Sequence, residues 1–269
     1  MVRQAVLTAL SLCLAAGAQA QSDPVVLVQS TTSLQNSGLY DYLLPLAEFA
    51  LGLDIRVVAV GTGQALNNAR RCDGDMLIVH AQVAEEAFVA SGFGTARLDL
   101  MFNDFVLVGP VDDPAGIRGA PEAVAALARI AQARAPFASR GDDSGTHQKE
   151  LSLWAGVADV AVASGSWYRE TGSGMGATLN LSVGMGAYTM TDRATWLAFR
   201  NRRTHDILFE GDPALFNQYG VIPVNPAHCA NTNAAGARAF TDWLTGTDGQ
   251  SAISEFRIHG VRAFFPNAD

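Results

Sequence analysis

Residues 53–80 of the chain read LDIRVVAVGTGQALNNARRCDGDMLIVH, which is the pattern of a strand, a turn, a helix and a second strand. The segments LDIRVVAV and DMLIVH are almost continuously apolar and rich in β-branched residues, as expected for strands buried on both faces. GTGQALNNARR, which lies between them, is typical of a turn that opens a helix. The unit therefore predicts neighbouring parallel strands with a helix packed on one face of their sheet.

The same alternation continues on both sides of this unit. VVLVQS (Val25–Ser30) predicts an earlier buried strand, TTSLQNS a polar turn, and GLYDYLLPLAEFAL an amphipathic helix that Pro45 interrupts. A second set of strands and helices runs from PEAVAALARIAQARA to HDILFEG, and YGVIPVNP with two helices ends the chain. We expect an α/β fold with two lobes, each a mostly parallel sheet flanked by helices. In such a fold the ligand lies in the crevice at the carboxyl ends of the strands.

The first residues are typical of a secretory leader. Arg3 precedes the short apolar segment AVLTALSLCLAAGA, and AQA supplies small residues before Gln21, so we expect residues 1–20 to be removed. The apolar segment is too short to span a bilayer, and we predict an exported chain that does not insert into the membrane. The formal net charge of -8 argues against a nucleic-acid partner.

Cys72 and Cys229 are the cysteines that remain after removal of the leader. In an oxidising compartment an even pair predicts a disulfide, and two unrelated buried thiols are the alternative. Neither cysteine and none of the five histidines has the spacing of a metal site, so no metal is expected.

Three polar turns follow predicted strands and precede predicted helices: STTS (Ser30–Ser33), GTG (Gly61–Gly63) and SRGDDSGT (Ser139–Thr146). Each turn by itself is consistent with ordinary helix capping. Together they place hydroxyl groups, free helix N–H groups and the single cation Arg140 at one edge of the fold. Hydroxyls, helix N-termini and an arginine are the groups that bind anions, so the coincidence favours an anion site.

The stretch Asp143–Thr146 spells DSGT, which is similar to the aspartic-protease signature. That chemistry needs two carboxylates that share a proton, and the chain carries no second copy of the stretch. Ser144 and His147 form a poor nucleophilic pair because no third group is specified to orient the histidine. We therefore expect no enzymatic activity, with an aspartic-type hydrolase as the remote alternative.

Nearly the whole mature chain resembles the tungstate-binding proteins of ABC importers. The segments that carry the resemblance are STTSLQNSGLYDYLLP, VVAVGTGQAL, DMLIVHA, FASRGDDSGTHQKEL, WYRETGSGMGATLN and YTMTDRATWLAF. STTS departs slightly from the TTTS that is usual in the family. The resemblance implies a periplasmic solute-binding protein with a type II two-lobed fold. It places the first lobe at residues 21–110 and 220–269, and the second at 111–219.

The resemblance also implies the ligand and the residues that bind it. The ligand would be tungstate, with molybdate as the alternative, and an ABC permease would receive it from a monomeric protein that carries no cofactor. Asp142 would hold the guanidinium of Arg140. Carried over residue by residue, the oxyanion contacts would be Thr32, Ser33, Thr62, Ser139, Arg140, Ser144, Gly145 and Thr146.

Phosphate is the main alternative ligand, because phosphate-binding proteins carry a similar S-R-x-D-x-S-G-T segment. Phosphate keeps a proton near neutral pH and needs an acceptor, usually a carboxylate, whereas tungstate and molybdate need donors only. The segment VHAQ after the third strand contains no acid, which favours tungstate or molybdate. A donor-only site also predicts an affinity almost independent of pH between about 6 and 9. An anion-binding domain that works without a permease is a further alternative.

Overall fold

The computed structural model describes residues 24–268, so the predicted leader lies outside the described residues. Within residues 24–268 no helix has both the length and the apolar character that a membrane span requires. The strands are Val25–Thr31 (β1), Asp54–Val60 (β2), Met76–Val79 (β3), Leu98–Pro110 (β4), Phe137–Ser139 (β5), Tyr168–Glu170 (β6), Thr189–Asp192 (β7), His205–Phe209 (β8), Phe216–Pro223 (β9), Arg257–Ile258 (β10), Val261–Arg262 (β11) and Phe265–Pro266 (β12).

Helices flank the sheets, and four of them begin within three residues of the end of a strand. The α-helices are Thr32–Ser37 (α1), Leu39–Leu51 (α2), Thr62–Arg70 (α3), Gln82–Ala90 (α4), Ala123–Ala133 (α5), Gly145–Trp154 (α6), Val160–Ala163 (α7), Met175–Met185 (α8), Arg193–Ala198 (α9), Ala234–Thr245 (α10) and Thr247–Glu255 (α11). A short 3₁₀ helix covers Pro213–Leu215.

The unit of residues 53–80 forms the predicted strand, helix and strand, but its two strands are not neighbours, because β1 lies between them. The expected burial of β2 on both faces is wrong, since β2 is the edge strand of the sheet and Ile55 alone of its seven residues is buried. Strand β1 pairs in parallel with β2 on one side and with β3 on the other. All four residues of β3 are buried, in agreement with the continuous apolar pattern of its sequence. The sheet is mixed rather than mostly parallel, because β9 runs antiparallel to β3 and to β4.

Strand β4 takes part in both lobes. Its first half, Leu98–Asp104, pairs with β9, whereas its second half pairs with β7 and β8. The chain thus passes between the lobes within continuous strand structure, which explains why no flexible linker is visible in the sequence. The lobe limits at residues 110 and 219 stay a prediction.

Each lobe has its own hydrophobic core. One core contains Val26, Leu34 and Phe240, and the other contains Phe137 and Trp154. Helix α9 connects lobes as well, since its Ala194 packs in the first core while its Trp196 packs against residues of β4 and α8.

Two local predictions are wrong. The predicted polar turn TTSLQNS forms helix α1, because Thr31 caps it and Leu34 and Ser37 are buried on its inner face. The predicted interruption at Pro45 is absent, since α2 is a continuous helix of 13 residues. Proline removes the hydrogen bond to the carbonyl of Asp41, but both residues are exposed and water can solvate that carbonyl. Buried Leu43 and Ala47 hold the helix against the core.

Candidate ligand-binding site between the lobes

The three polar turns stand at the carboxyl ends of β1, β2 and β5, where each strand leads into a helix. Thr32 is the first residue of α1 and Thr62 the first residue of α3, while Ser144 is the N-cap of α6. The first N–H groups of a helix have no partner within that helix, and its N-terminus carries a partial positive charge. The sites at α3 and α6 therefore present donors and positive potential.

Arg140, which belongs to the third turn, contacts the residues of the first turn. Its side chain is 1% exposed, and its guanidinium donates to Thr32 Oγ1 at 3.3 Å and to Ser33 Oγ at 3.5 Å. A hydroxyl that accepts a hydrogen bond from arginine keeps its own hydrogen free for another acceptor. The two α1 hydroxyls are thus oriented to donate to a ligand.

Asp142 forms an ion pair with Arg140. Its Oδ2 lies 2.6 Å from the guanidinium, and its Oδ1 accepts from the backbone N–H of Ser144 at 3.3 Å. Ser144 Oγ in turn accepts from the N–H of His147 at 3.2 Å, as the cap of α6. This places Asp142 in the role that the sequence predicts for it, with both carboxylate oxygens engaged.

Several predicted ligand atoms are buried but unpaired. Within residues 24–268 no hydrogen-bond partner is found for Thr62 Oγ1, Ser139 Oγ, Arg140 Nε and Thr146 Oγ1. Leaving a buried donor unsatisfied costs about 1–3 kcal/mol. Four such groups, one in the second turn and three in the third, indicate a site built to receive hydrogen-bond acceptors.

The two lobes approach each other closely around these residues. The N–H of Gly63 donates to the carbonyl of Asp143 at 3.3 Å. At Gly145 a Cβ atom would lie 2.5 Å from the carbonyl oxygen of His80, so glycine alone fits there. Of the predicted ligand residues, Thr32 is half-buried, whereas Ser33, Thr62, Ser139, Arg140, Ser144, Gly145 and Thr146 are buried.

A cleft of about 510 Å³ opens beside this region and is lined by residues that include His80, Gly145 and Lys149. Of the predicted ligand residues, only Gly145 lines it. The side chains of Thr62, Ser139, Arg140 and Thr146 therefore do not line this cleft.

Comparison with known proteins identifies the family. The PBP superfamily domain matches residues 18–248. The tungstate-binding protein TupA of Peptoclostridium acidaminophilum is 46% identical over 252 residues, which cover 92% of this chain and 87% of that protein. The chain belongs to the TupA family of the PBP superfamily.

Solved structures of TupA-family members share the fold. The tungstate-binding protein TupA from Desulfovibrio alaskensis G20 is 46% identical, with a TM-score of 0.77 over 91% of this chain and 100% of that chain. The tungstate ABC transporter structure from Geobacter sulfurreducens is 45% identical, with a TM-score of 0.79 over 88% of this chain and 100% of that one. The family and the two-lobed type II fold expected from the sequence are confirmed.

His80 lines the cleft, and the sequence did not predict it as a site residue. Its Nδ1 lies 3.0 Å from Asn217 Oδ1, and its ring stacks on Tyr219 with centroids 4.8 Å apart. Burial lowers the pKa of His80 to about 4, so the ring is neutral near pH 7. Asn217 Nδ2 donates to Asn103, which leaves Asn217 Oδ1 to accept from His80 Nδ1. The available signal was its position at the end of β3, on the same edge as the three turns.

The DSGT stretch of this TupA-family chain does not form a hydrolytic centre. Asp143 is exposed, and its backbone N–H donates to His147 Nδ1 at 3.1 Å. Asp142 is paired with Arg140, so the two neighbouring carboxylates do not share a proton. Ser144 and His147 interact through the helix cap described above, which is not the contact of a nucleophile with its base.

The structure pairs Cys72 with Cys229. Their Cα atoms are 5.4 Å apart, within the range of an ordinary disulfide, and the bridge spans 157 residues of sequence. Cys72, His228 and Cys229 also form the one Cys/His/acid group of metal-ligand spacing in the described part of the chain. The disulfide uses both sulfurs, and His228 Nε2 lies 3.2 Å from the carbonyl of Arg70, so this group does not offer a free ligand set.

Proposed function

We propose that this chain is the periplasmic solute-binding component of an ABC importer and captures tungstate between its lobes. The observation that carries the proposal is the set of buried donors at Thr62, Ser139, Arg140 and Thr146, which have no hydrogen-bond partner among the described residues. Belonging to the TupA family supports tungstate as the ligand, since related proteins of 46% identity carry that name. The role is binding and delivery, without catalysis or a cofactor.

The donor set suits a tetrahedral dianion. Hydrogen bonds to charged groups contribute about 1.5–3 kcal/mol each, and a nanomolar complex requires about 12 kcal/mol. Hydroxyls, helix N–H groups and Arg140 supply enough such bonds to cover that requirement together with the cost of closing the lobes. A buried dianion beside one neutralised arginine is then stabilised by dipoles and hydrogen bonds rather than by net charge.

Phosphate remains the alternative that the site fits less well. The proton of hydrogen phosphate needs a free acceptor, and the nearby carboxylates are occupied. Asp142 binds Arg140 and the N–H of Ser144, and Asp192 accepts from the N–H and hydroxyl of Thr195. Molybdate has the same charge and shape as tungstate and stays the second ligand of the proposal.

Delivery to a permease and export through a leader at residues 1–20 complete the proposed role, with a monomer as the binding unit. Export is tested by expressing the full chain with and without residues 1–20 and assaying the periplasmic fraction for the processed form. A chain that starts at Gln21 supports the proposal, and cytoplasmic retention of the full chain contradicts it.

The ligand is tested on the purified mature chain with tungstate, molybdate, sulfate and phosphate in a thermal-shift panel followed by calorimetry. A ligand at a hundred times its Kd adds about 2.7 kcal/mol of stability, which is a clear shift of Tm. We expect tungstate and molybdate to shift Tm strongly and phosphate and sulfate weakly. A larger shift with phosphate or sulfate than with tungstate would overturn the assignment.

A further inference from the structure

Glu150 is a buried acid that lies next to Ser139, one of the proposed ligand residues. Glu150 is on α6, one turn after Thr146, and is 1% exposed. Tyr168 OH on β6 donates to Glu150 Oε1 at 2.7 Å. Phe137 and Tyr168 are register partners on the parallel strands β5 and β6, and Ser139 follows two residues after Phe137. Side chains alternate along a strand, so Ser139 and Tyr168 lie on the same face, toward Glu150.

The carboxyl of Glu150 has two further polar neighbours, the Ser139 hydroxyl and the Trp154 indole N–H. In the described part of the chain neither Ser139 Oγ nor Trp154 Nε1 has a partner of good hydrogen-bond geometry. A small rotation of the Ser139 hydroxyl therefore decides whether it faces the acid or the ligand space.

The protonation of Glu150 sets the direction of that hydroxyl. An ionised carboxylate only accepts, so it would draw the single hydrogen of Ser139 to itself and leave oxygen lone pairs toward the ligand. A protonated carboxyl can instead donate its own hydrogen to Ser139 Oγ, and the hydrogen of Ser139 is then free. Only the protonated form lets Ser139 donate to an oxyanion.

We propose that Glu150 is a positioning residue that stays protonated when the oxyanion is bound and orients the Ser139 hydroxyl to donate to it. This inference rests on the proposed function, because it needs an anion at the site. Anion binding and retention of one proton are then coupled. The affinity for a dianion decreases once the pH is high enough to ionise Glu150 in the free protein.

The electrostatic surroundings support the protonated form. Burial raises the pKa of Glu150 to about 8, and the nearby charge of Glu170 on β6 acts in the same direction. A dianion next to Ser139 would raise this pKa further, as like charges do. Burial also raises the pKa of Tyr168 above its ordinary value, so that phenol stays neutral.

The other charged groups around α6 have partners of their own or lie on the same helix. Arg129 of α5 donates to the carbonyl of Gly116, and Asp192 of β7 caps α9. Arg140, which follows β5, is paired with Asp142. His147 and Lys149 lie on α6 itself, and burial lowers the pKa of Lys149. The nearly pH-independent affinity of a donor-only site therefore holds only below the pKa of Glu150.

The test is the Kd for tungstate, measured by calorimetry from pH 6.5 to 9.5 on wild type and Glu150→Gln. The amide of Gln can accept from Tyr168 and donate to Ser139, so it imitates the protonated acid without titrating. We expect wild-type affinity to fall by up to about tenfold per pH unit above pH 8, as for one linked proton. Glu150→Gln should bind within about threefold of wild type at pH 6.5 and keep that affinity at pH 9.5.

Two further variants separate the orientation of the Ser139 hydroxyl from the effect of negative charge near the site. Glu170→Gln, at an exposed residue of the same strand as Tyr168, removes a like charge near Glu150 and should move the onset of the fall in affinity to lower pH without changing its slope. Ser139→Ala should bind more weakly at pH 6.5 and show a shallower pH dependence, because the repulsion between Glu150 and the dianion remains but the oriented hydroxyl is gone. A Ser139→Ala profile as steep as that of wild type would overturn the role of the hydroxyl.

Wild type alone provides a measurement that does not depend on any variant folding. Calorimetry in buffers of different ionisation enthalpy should show uptake of up to one proton per tungstate above pH 8, and none at pH 6.5. Zero uptake at pH 9, or identical pH profiles for wild type and Glu150→Gln, overturns this inference alone. Absence of tungstate binding at every pH overturns the proposed function and this inference with it.

Discussion

The guanidinium of Arg140 donates a hydrogen bond of 3.3 Å to Thr32 Oγ1, across the boundary between the two lobes. The contact places the one cation of the three turns against the first helix that follows β1. A ligand in the same place would be held by both lobes at once.

Replacing Arg140 by alanine should weaken tungstate binding by about 2–5 kcal/mol, because the buried tungstate dianion would lose a charged hydrogen-bond donor. The fold should persist, since Arg140 belongs to neither hydrophobic core. Calorimetry measures the affinity, and circular dichroism checks the fold. Arg238→Ala is the control, at a side chain that is 84% exposed. An Arg140→Ala affinity within a few fold of wild type would remove this residue from the site.

Replacing Thr146 by valine should lower tungstate affinity by roughly tenfold or more, the value of one hydrogen bond to a charged group. The ligand-free protein should be as stable as wild type or more stable, because the hydroxyl is buried without a partner in the described residues. Thr241→Val is the matched control, since its buried hydroxyl donates to the carbonyl of Ala237. Thr241→Val should lose stability and keep its affinity for tungstate. A Thr146→Val variant that loses stability and keeps its affinity would contradict a role for Thr146 in the site.

Replacing Gly145 by alanine should impair closure of the lobes. The new Cβ would lie 2.5 Å from the carbonyl oxygen of His80, a backbone atom that cannot move away easily. We expect at least a tenfold weaker affinity for tungstate with little change in the Tm of the ligand-free protein. Gly184→Ala in α8 is the control, because nothing lies within 4 Å of its added Cβ. Equal affinities for the two variants would show that the close contact between Gly145 and His80 is unimportant for binding.

Removing the Cys72–Cys229 bridge should lower stability by at most about 4–5 kcal/mol, the chain-entropy value for a loop of this size. Cys72 has a φ of 64°, in the left-handed region that glycine adopts without strain. Cys72→Gly should therefore be less destabilising than Cys72→Ala, although both variants lack the bridge. Urea denaturation measures the difference, and mass spectrometry of non-reduced protein counts free thiols. Two free thiols in the exported wild type would rule out the bridge.

The ligand-free protein should become less stable as the pH rises from about 5 to 8. Burial raises the pKa of Glu150 to about 8 and that of Glu85 to about 7, so in this range the folded chain keeps protons that the unfolded chain has released. The free energy of unfolding then falls with pH, by at most about 1.4 kcal/mol per unit for each group. Urea denaturation at several pH values should show a shallower slope for Glu150→Gln than for the exposed control Glu86→Gln. Equal slopes would contradict this account.

The sequence by itself determined the α/β class, the buried strands β1 and β3, and the three polar stretches at which a strand leads into a helix. These features are local. Continuous apolar patterns in β1 and β3, and the caps at Thr31 and Ser144, depend on residues close to one another in the chain. Local propensity was insufficient where packing dominates. Helix α1 forms from a polar stretch because Leu34 is buried, and α2 continues through Pro45 because its opposite face is buried.

Only the tertiary structure decided which polar groups are paired and which are left for a ligand. Ser144 and Thr146 are alike in sequence, but Ser144 Oγ accepts from His147, whereas Thr146 Oγ1 has no partner in the described residues. The contact of Gly145 with His80 and the burial of Glu150 against Tyr168 join segments that are distant in the chain. Such contacts depend on how two lobes and a helix pack against one another, and no local pattern of residues encodes that packing.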